Sequence, residues 1–144
     1  MKYLLDVNVL MALTWPTHVG HAKATTWFLD SGISGWATSP GTESGFIRLS
    51  SNPVVVTEVV TPNNCAGVLE SLKNIGDHNF VADVVGLGRE LAKSEVLLTG
   101  YRQVSDAHLA LVAQANDCIF ATLDSGASQL AQRFGTQSLL IETW

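Results

Sequence analysis

Apolar residues in this chain fall into short blocks with two rhythms. Tyr3-Leu4-Leu5 is a continuous apolar run of strand length. Residues 7–13 read as the entry to a helix that stops near Pro16. From 18 to 30, Val19, Ala22 and Trp27 with their Ala and Leu neighbours suit a helix, closed by Ser31-Gly32. Gly35-Trp36-Ala37-Thr38 is a second short strand. Ser39-Pro40 is a helix-start signal, with serine as N-cap and proline at the first helical position. That helix carries Glu43, Phe46, Ile47 and Leu49 and ends before Asn52-Pro53.

The second half repeats the alternation. Val54-Val55-Val56 and Val59-Val60 are β-prone but flanked by prolines. Thr61-Pro62 opens a helix over 63–75, residues 78–82 form a short strand, and 84–93 is helical despite two glycines. Ser105 caps a nearly all-apolar helix over 106–115. Residues 118–123 are a strand apolar on both faces. Asp124-Ser125-Gly126 turns into a helix up to Phe134, and 138–141 is the last strand. Continuous apolar strands alternating with helices predict an α/β fold with a parallel sheet covered on both faces.

The 144 residues suit one domain spanning 1–144, with no repeat, low-complexity run or linker. Hydrophobic residues are 47% and charged residues 15%, which excludes disorder as the main state. The longest apolar stretch, 3–15, is cut by Asp6 and Asn8, which argues against a membrane span and against a signal peptide. Two cysteines, Cys65 and Cys118, lie in apolar segments and read as buried, reduced thiols of a cytoplasmic protein. Thirteen acids against eight bases give a net charge of −5. A protein that holds nucleic acid by phosphate neutralisation alone is usually basic. Contact with nucleic acid therefore needs a local basic rim, a metal, or a brief enzymatic encounter.

The acids are not scattered. Asp6 follows the first strand, Glu43 lies in the first turn of the helix after the second, Asp106 opens the buried helix, and Asp124 ends the strand over 118–123. Each has an ordinary reading as a helix cap, a dipole partner or a turn former. In a parallel sheet, however, all four converge on the carboxyl ends of the strands, where ligands bind. Two like charges 4 Å apart repel by about 4 kcal/mol at an effective dielectric of 20. Four carboxylates together call for protonation, separation or a cation, and oxygen-only ligands suit Mg²⁺ or Mn²⁺.

The four acidic segments resemble, in order, the motifs of the PIN-domain ribonucleases, and within them the VapC-type toxins of toxin–antitoxin pairs. These segments are Leu5-Asp6-Val7-Asn8-Val9-Leu10, Ser39-Pro40-Gly41-Thr42-Glu43-Ser44-Gly45-Phe46-Ile47-Arg48, Gln103-Val104-Ser105-Asp106-Ala107-His108-Leu109 and Ala121-Thr122-Leu123-Asp124. The similarity covers nearly the whole chain; His108 stands where a larger aromatic or aliphatic residue is frequent. It implies a PIN-like three-layer α/β/α sandwich with a short, mainly parallel central sheet. It also implies Mg²⁺- or Mn²⁺-dependent endonucleolytic cleavage of RNA. Asp6, Glu43, Asp106 and Asp124 carry over as the catalytic acids. Asp6 and Asp106 are the main metal ligands, while Asp124 joins them or, with Glu43, positions water or a second ion. Asn8, Thr42 and Ser105 would orient the ligands, and Thr122 would touch a ligand or phosphate. The family habit adds a homodimer and an antitoxin partner that blocks the site.

The remaining chemistry-bearing residues read more plainly. His18 and His21, three apart on one helix, form a metal pair or a polar face; His78 and His108 read as structural or surface groups. Lys23, Arg48 and Arg102 are candidates for RNA phosphate contact. Trp15, Trp27 and Trp36 read as packing residues before base-stacking ones, and Trp144 as a docked or partner-facing group. A mean hydropathy of +0.23 and the valines over 54–60 suggest more apolar surface than a monomer shows. A phosphohydrolase with an aspartyl nucleophile needs Asp-x-Asp, and Asn8 breaks that pattern. A non-catalytic binding module and a PIN ribonuclease of RNA maturation are the alternatives to the toxin.

Overall fold

The computed structural model describes residues 1–142. Five strands form one parallel sheet in the order β3-β2-β1-β4-β5. They are β1 (Lys2–Leu5), β2 (Trp36–Thr38), β3 (His78–Phe80), β4 (Cys118–Thr122) and β5 (Ser138–Leu140). The helices are α1 (Val7–Thr14), α2 (His21–Asp30), α3 (Pro40–Ser50), α4 (Pro62–Leu72), α5 (Leu87–Lys93), α6 (Val104–Ala115) and α7 (Ser125–Arg133). The chain builds outward from β1 to β2 and β3, then crosses back to lay β4 on the other flank of β1. That reversal makes a topological switch point between β1 and β4, where a parallel sheet opens a crevice.

Alternating strand residues feed two separate cores, as a sheet covered on both faces requires. Leu4, Ala37 and Phe120 face Leu109, Ala110, Ala113, Ala127 and Ala131 of α6 and α7. Their neighbours Leu5, Trp36 and Ala121 face Val9, Leu10, Phe28, Phe46 and Leu69 of α1 to α4. The result is the expected three-layer α/β/α arrangement.

Glycine decides two close approaches. Gly76 has φ +66°, and a side chain there would collide with the Ile33 carbonyl, so it makes the turn into β3. At Gly45 the φ is ordinary, but an added Cβ would stand 2.8 Å from Val7 Cγ2. The bare backbone lets α3 lie on α1, which brings Glu43 to the edge that holds Asp6.

Some expected elements move. The helix expected from residue 18 begins at His21, with Gly20 as its N-cap, because His18 closes a turn by accepting the Gly20 N–H at 2.9 Å. Residues 54–58, β-prone but flanked by prolines, form turns and bends and pair with no strand among the described residues, and Val54 and Val59 are 90% and 93% exposed. Short 3₁₀ turns precede β2 (Gly32–Ser34) and α6 (Tyr101–Gln103). Cys65 and Cys118 are buried and free. No helix among the described residues is long and apolar enough to cross a membrane. Trp144 lies outside the described residues.

Candidate active site

Asp6 leaves β1 and caps α1. Its Oδ1 accepts the Val7 N–H at 2.7 Å, satisfying one of the free N–H groups at a helix start. Its Oδ2 accepts the Thr122 hydroxyl at 2.7 Å, across the switch point from the end of β4. Only 7% of Asp6 is exposed. Burial pushes its carboxyl up to about 6; the negative charges of Asp106 and Asp124 add to this, against the Thr122 and Val7 hydrogen bonds. Asp106 sits in the first turn of α6, half-buried, and burial followed by Asp124 raises its carboxyl too. Asp124 is exposed and caps α7 through the Gly126 and Ala127 N–H groups at 2.8 and 3.4 Å. Capping and clustering thus coexist: Asp6 and Asp124 hold helix N-termini while facing Asp106.

Thr122 is the hub of the cluster. Its hydroxyl donates to Asp6 and accepts the Asp124 N–H at 3.1 Å and the Asn8 Nδ2 at 3.3 Å. Asn8 Oδ1 in turn accepts the Leu123 N–H at 3.2 Å. Thr122 has no exposed surface, so of the two contacts expected of it, a ligand or a phosphate, the structure places it on Asp6: it clamps that carboxylate to the β4 end. Thr42 is also reassigned. It is buried, accepts the Ser39 N–H at 2.8 Å and donates to the Ser39 carbonyl, completing a capping box and bonding to none of the acids. Ser105 is no cap either. The helix starts two residues earlier than expected, at Val104, because the preceding 3₁₀ turn runs directly into it, and Ser105 is exposed in its first turn.

Glu43 belongs to the same sheet edge but faces other partners. Thr38 Oγ1 donates to its Oε2 at 2.6 Å, and Lys73 Nζ lies 3.0 Å from that oxygen. Lys73, just past α4, also reaches Glu70 at 2.7 Å. Burial pulls its ammonium down, but the hydrogen bonds and charges of the two glutamates outweigh it and leave it raised. Sequence reasoning missed both Thr38 and Lys73. Thr38 ends a strand at the right edge, a signal that was available; Lys73 carried none.

The three basic candidates are placed differently. Lys23 lines a shallow recess with Leu123 and Ser125, beside the loop that carries Asp124. Arg102 precedes α6 and lies 5.8 Å from the exposed Tyr101 ring. Arg48 is exposed in the last turn of α3. The histidine pair is absent: His18 is spent on its turn, and His21 Nδ1 bonds the Ala12 carbonyl at 2.7 Å. His108 Nε2 is 2.7 Å from Asp83 Oδ2, a close contact outside hydrogen-bond geometry. Trp15, Trp27 and Trp36 pack on Ser50, Tyr3 and the Ile75 carbonyl.

Among the described residues, no three of His, Cys, Asp and Glu form a ready-made metal cage. The donor set still fits a hard divalent ion. It is all oxygen, it has excess negative charge in a buried setting, and Mg²⁺ characteristically takes one or two carboxylates, keeping waters and phosphate for its other positions.

No family model matches the chain. It is 42% identical over 130 residues to Ribonuclease VapC38 of Mycobacterium tuberculosis, covering 90% of each chain. Identity to Ribonuclease VapC39 of that organism is 38% over 131 residues, 91% of this chain and 94% of the other. To Ribonuclease VapC29 it is 35% over 144 residues, 99% and 98%. Among solved structures, Mycobacterium tuberculosis VapC20, a sarcin–ricin loop cleaving toxin, superposes with a TM-score of 0.61 at 13% identity, covering 88% of this chain and 93% of that one. FitAB bound to a DNA fragment gives 0.59 at 14%, covering 96% and 94%. The two structural likenesses show the PIN-like fold alone.

Proposed function

The chain belongs to the VapC family of PIN-domain ribonuclease toxins, and on that footing we propose that Asp6, Asp106 and Asp124 hold a Mg²⁺ or Mn²⁺ ion for the hydrolysis of RNA phosphodiester bonds. The observation that carries this reading is the state of Asp6. It is nearly buried, it is raised to about 6 by burial and by Asp106 and Asp124, and no basic side chain among the described residues pairs with it. A carboxylate in that setting is completed by a cation from solution. A bound divalent ion supplies a Lewis acid that acidifies water and neutralises charge building on the phosphate.

The chain's own residues do the rest. Thr122 and the Val7 N–H fix both Asp6 oxygens, and Asn8 fixes Thr122, so the leading ligand is held in one orientation. Asp106 and Asp124 complete the negative edge, Ser105 lies beside Asp106, and Glu43 orients water at the rim. Lys23 and Arg102 flank the edge and take RNA phosphates, with Arg48 farther along α3. The partner is an antitoxin whose binding covers the acids, and the exposed valines at 54 and 59 support a homodimer.

The test incubates the purified chain, freed of any partner, with total cellular RNA in Mg²⁺, in Mn²⁺ and in EDTA, beside Asp6→Asn. Discrete metal-dependent fragments are expected from the wild type, with a loss of about a thousandfold or more in the variant. Full cleavage by Asp6→Asn would sink the assignment.

A further inference from the structure

The four acids at the sheet edge are not equivalent. Lys73 is the one basic side chain among the described residues within ion-pair distance of any of them, and its partner is Glu43. The pair is well shielded, with side-chain exposures of 17% and 20%, so it is screened far less than a surface pair. Glu70 and the Phe80 ring, 5.7 Å away, hold the ammonium from its other sides.

Glu43 is also held from behind. Thr38 has a single hydroxyl proton, and at 2.6 Å from Glu43 Oε2 it goes to the carboxylate. The Thr38 oxygen is then the acceptor for His78 Nε2 at 2.8 Å, which assigns the imidazole its Nε2–H form. His78 itself rests edge-on against the fully buried Trp36, with ring centroids 4.6 Å apart. His78, Thr38 and Lys73 come from β3, β2 and the end of α4, and they converge on one carboxylate.

We propose that Lys73 is the positioning residue for Glu43, supplying an internal counter-ion that holds this carboxylate in place at the rim of the aspartate cluster. Among the described residues Asp6, Asp106 and Asp124 have no such partner, and they are left to the divalent ion. The site therefore divides into a metal-completed trio and a lysine-completed fourth acid. The inference rests on the proposed function for its catalytic meaning.

The test compares wild type, Lys73→Met, Lys73→Arg, Glu43→Gln and the double variant Lys73→Met/Glu43→Gln. Mn²⁺ binding without RNA is followed by calorimetry, and kcat and KM are measured on a mapped RNA substrate. Lys73→Met removes a positive charge beside the site and releases a Glu43 oxygen. It is expected to tighten Mn²⁺ binding by about threefold or more. It is also expected to lower kcat by about tenfold at nearly constant KM. Lys73→Arg keeps the charge and restores both values. In the Glu43→Gln background, Lys73→Met costs no further kcat, because the residue it positions is already gone. The proposal is overturned if Lys73→Met, folded by circular dichroism, matches wild type in Mn²⁺ affinity and kcat. It is equally overturned if its kcat loss persists in full beside Glu43→Gln. If wild type itself cleaves no RNA, the proposed function fails, while the Mn²⁺ isotherms still read the positioning.

Discussion

Asp6 serves two demands that conflict when no cation is present. It caps α1, which favours an anion at the helix start, yet it is buried beside Asp106 and Asp124, which favours a proton. Its carboxyl releases its proton near 3.8 in the unfolded chain and at about 6 in the folded one. Between those values the folded state binds more protons, so stability falls as pH rises through this window. Above it the penalty is about 3 kcal/mol, and raised Asp106 adds in the same direction. In EDTA, calorimetric melting is expected to weaken from pH 4 to pH 7, and Mg²⁺ to recover the loss at neutral pH. Asp6→Asn is expected to gain about 1–3 kcal/mol at pH 7 without metal, while losing cleavage. Equal pH dependence in wild type and variant would count against this account. The four acids were legible in the sequence because each follows a strand or opens a helix. Thr122 was singled out from its motif as touching a ligand or phosphate, but which acid it bonds was not legible, because Asp6 stands 116 residues away.

At the scale of elements, the contact of α1 with α3 sets the spacing between Asp6 and Glu43. Val7 is β-branched and stiff at χ1 in a helix, so the 2.8 Å clash of a Gly45 Cβ cannot be relieved by rotation. Gly45→Ala gains about 1 kcal/mol of helix propensity against an overpacking cost of about 1–3 kcal/mol. Thermal melts are expected to show a net loss of about 1 kcal/mol, and Val7→Ala is expected to remove that loss by opening the space; a double variant no better than Gly45→Ala would refute the contact. The strands were legible because each is a short apolar block, and their burial on both faces follows from that continuity. The valines over 54–60 are β-prone by type, but β-propensity measures fit to a sheet, and among the described residues no strand pairs with them. Ser105 misled because a serine before an apolar run resembles a cap, and only the 3₁₀ turn ahead of it moves the helix start. Lys73 was invisible because its partner lies 30 residues earlier, on α3.

For the molecule as a whole, a net charge of −5 limits how RNA is held. Three basic residues, Lys23, Arg48 and Arg102, are the proposed phosphate contacts, and each such contact to single-stranded RNA contributes about −0.7 to the salt slope. Binding of an RNA oligonucleotide to Asp6→Asn, followed by anisotropy across a KCl series, is expected to give a slope of about −2. A slope several times steeper would reveal a basic surface beyond Lys23, Arg48 and Arg102. The sheet order has a separate consequence, in time. β1 leads directly into Asp6, but its neighbour β4 lies more than a hundred residues downstream. The edge that joins Asp6 to Thr122 cannot assemble until β4 has left the ribosome, since pairing so distant in sequence waits for both strands. Until β4 has emerged and paired with β1, Asp6 lacks the Thr122 hydroxyl that fixes its Oδ2, so the two halves of the site are joined by the sheet itself and not by any local segment.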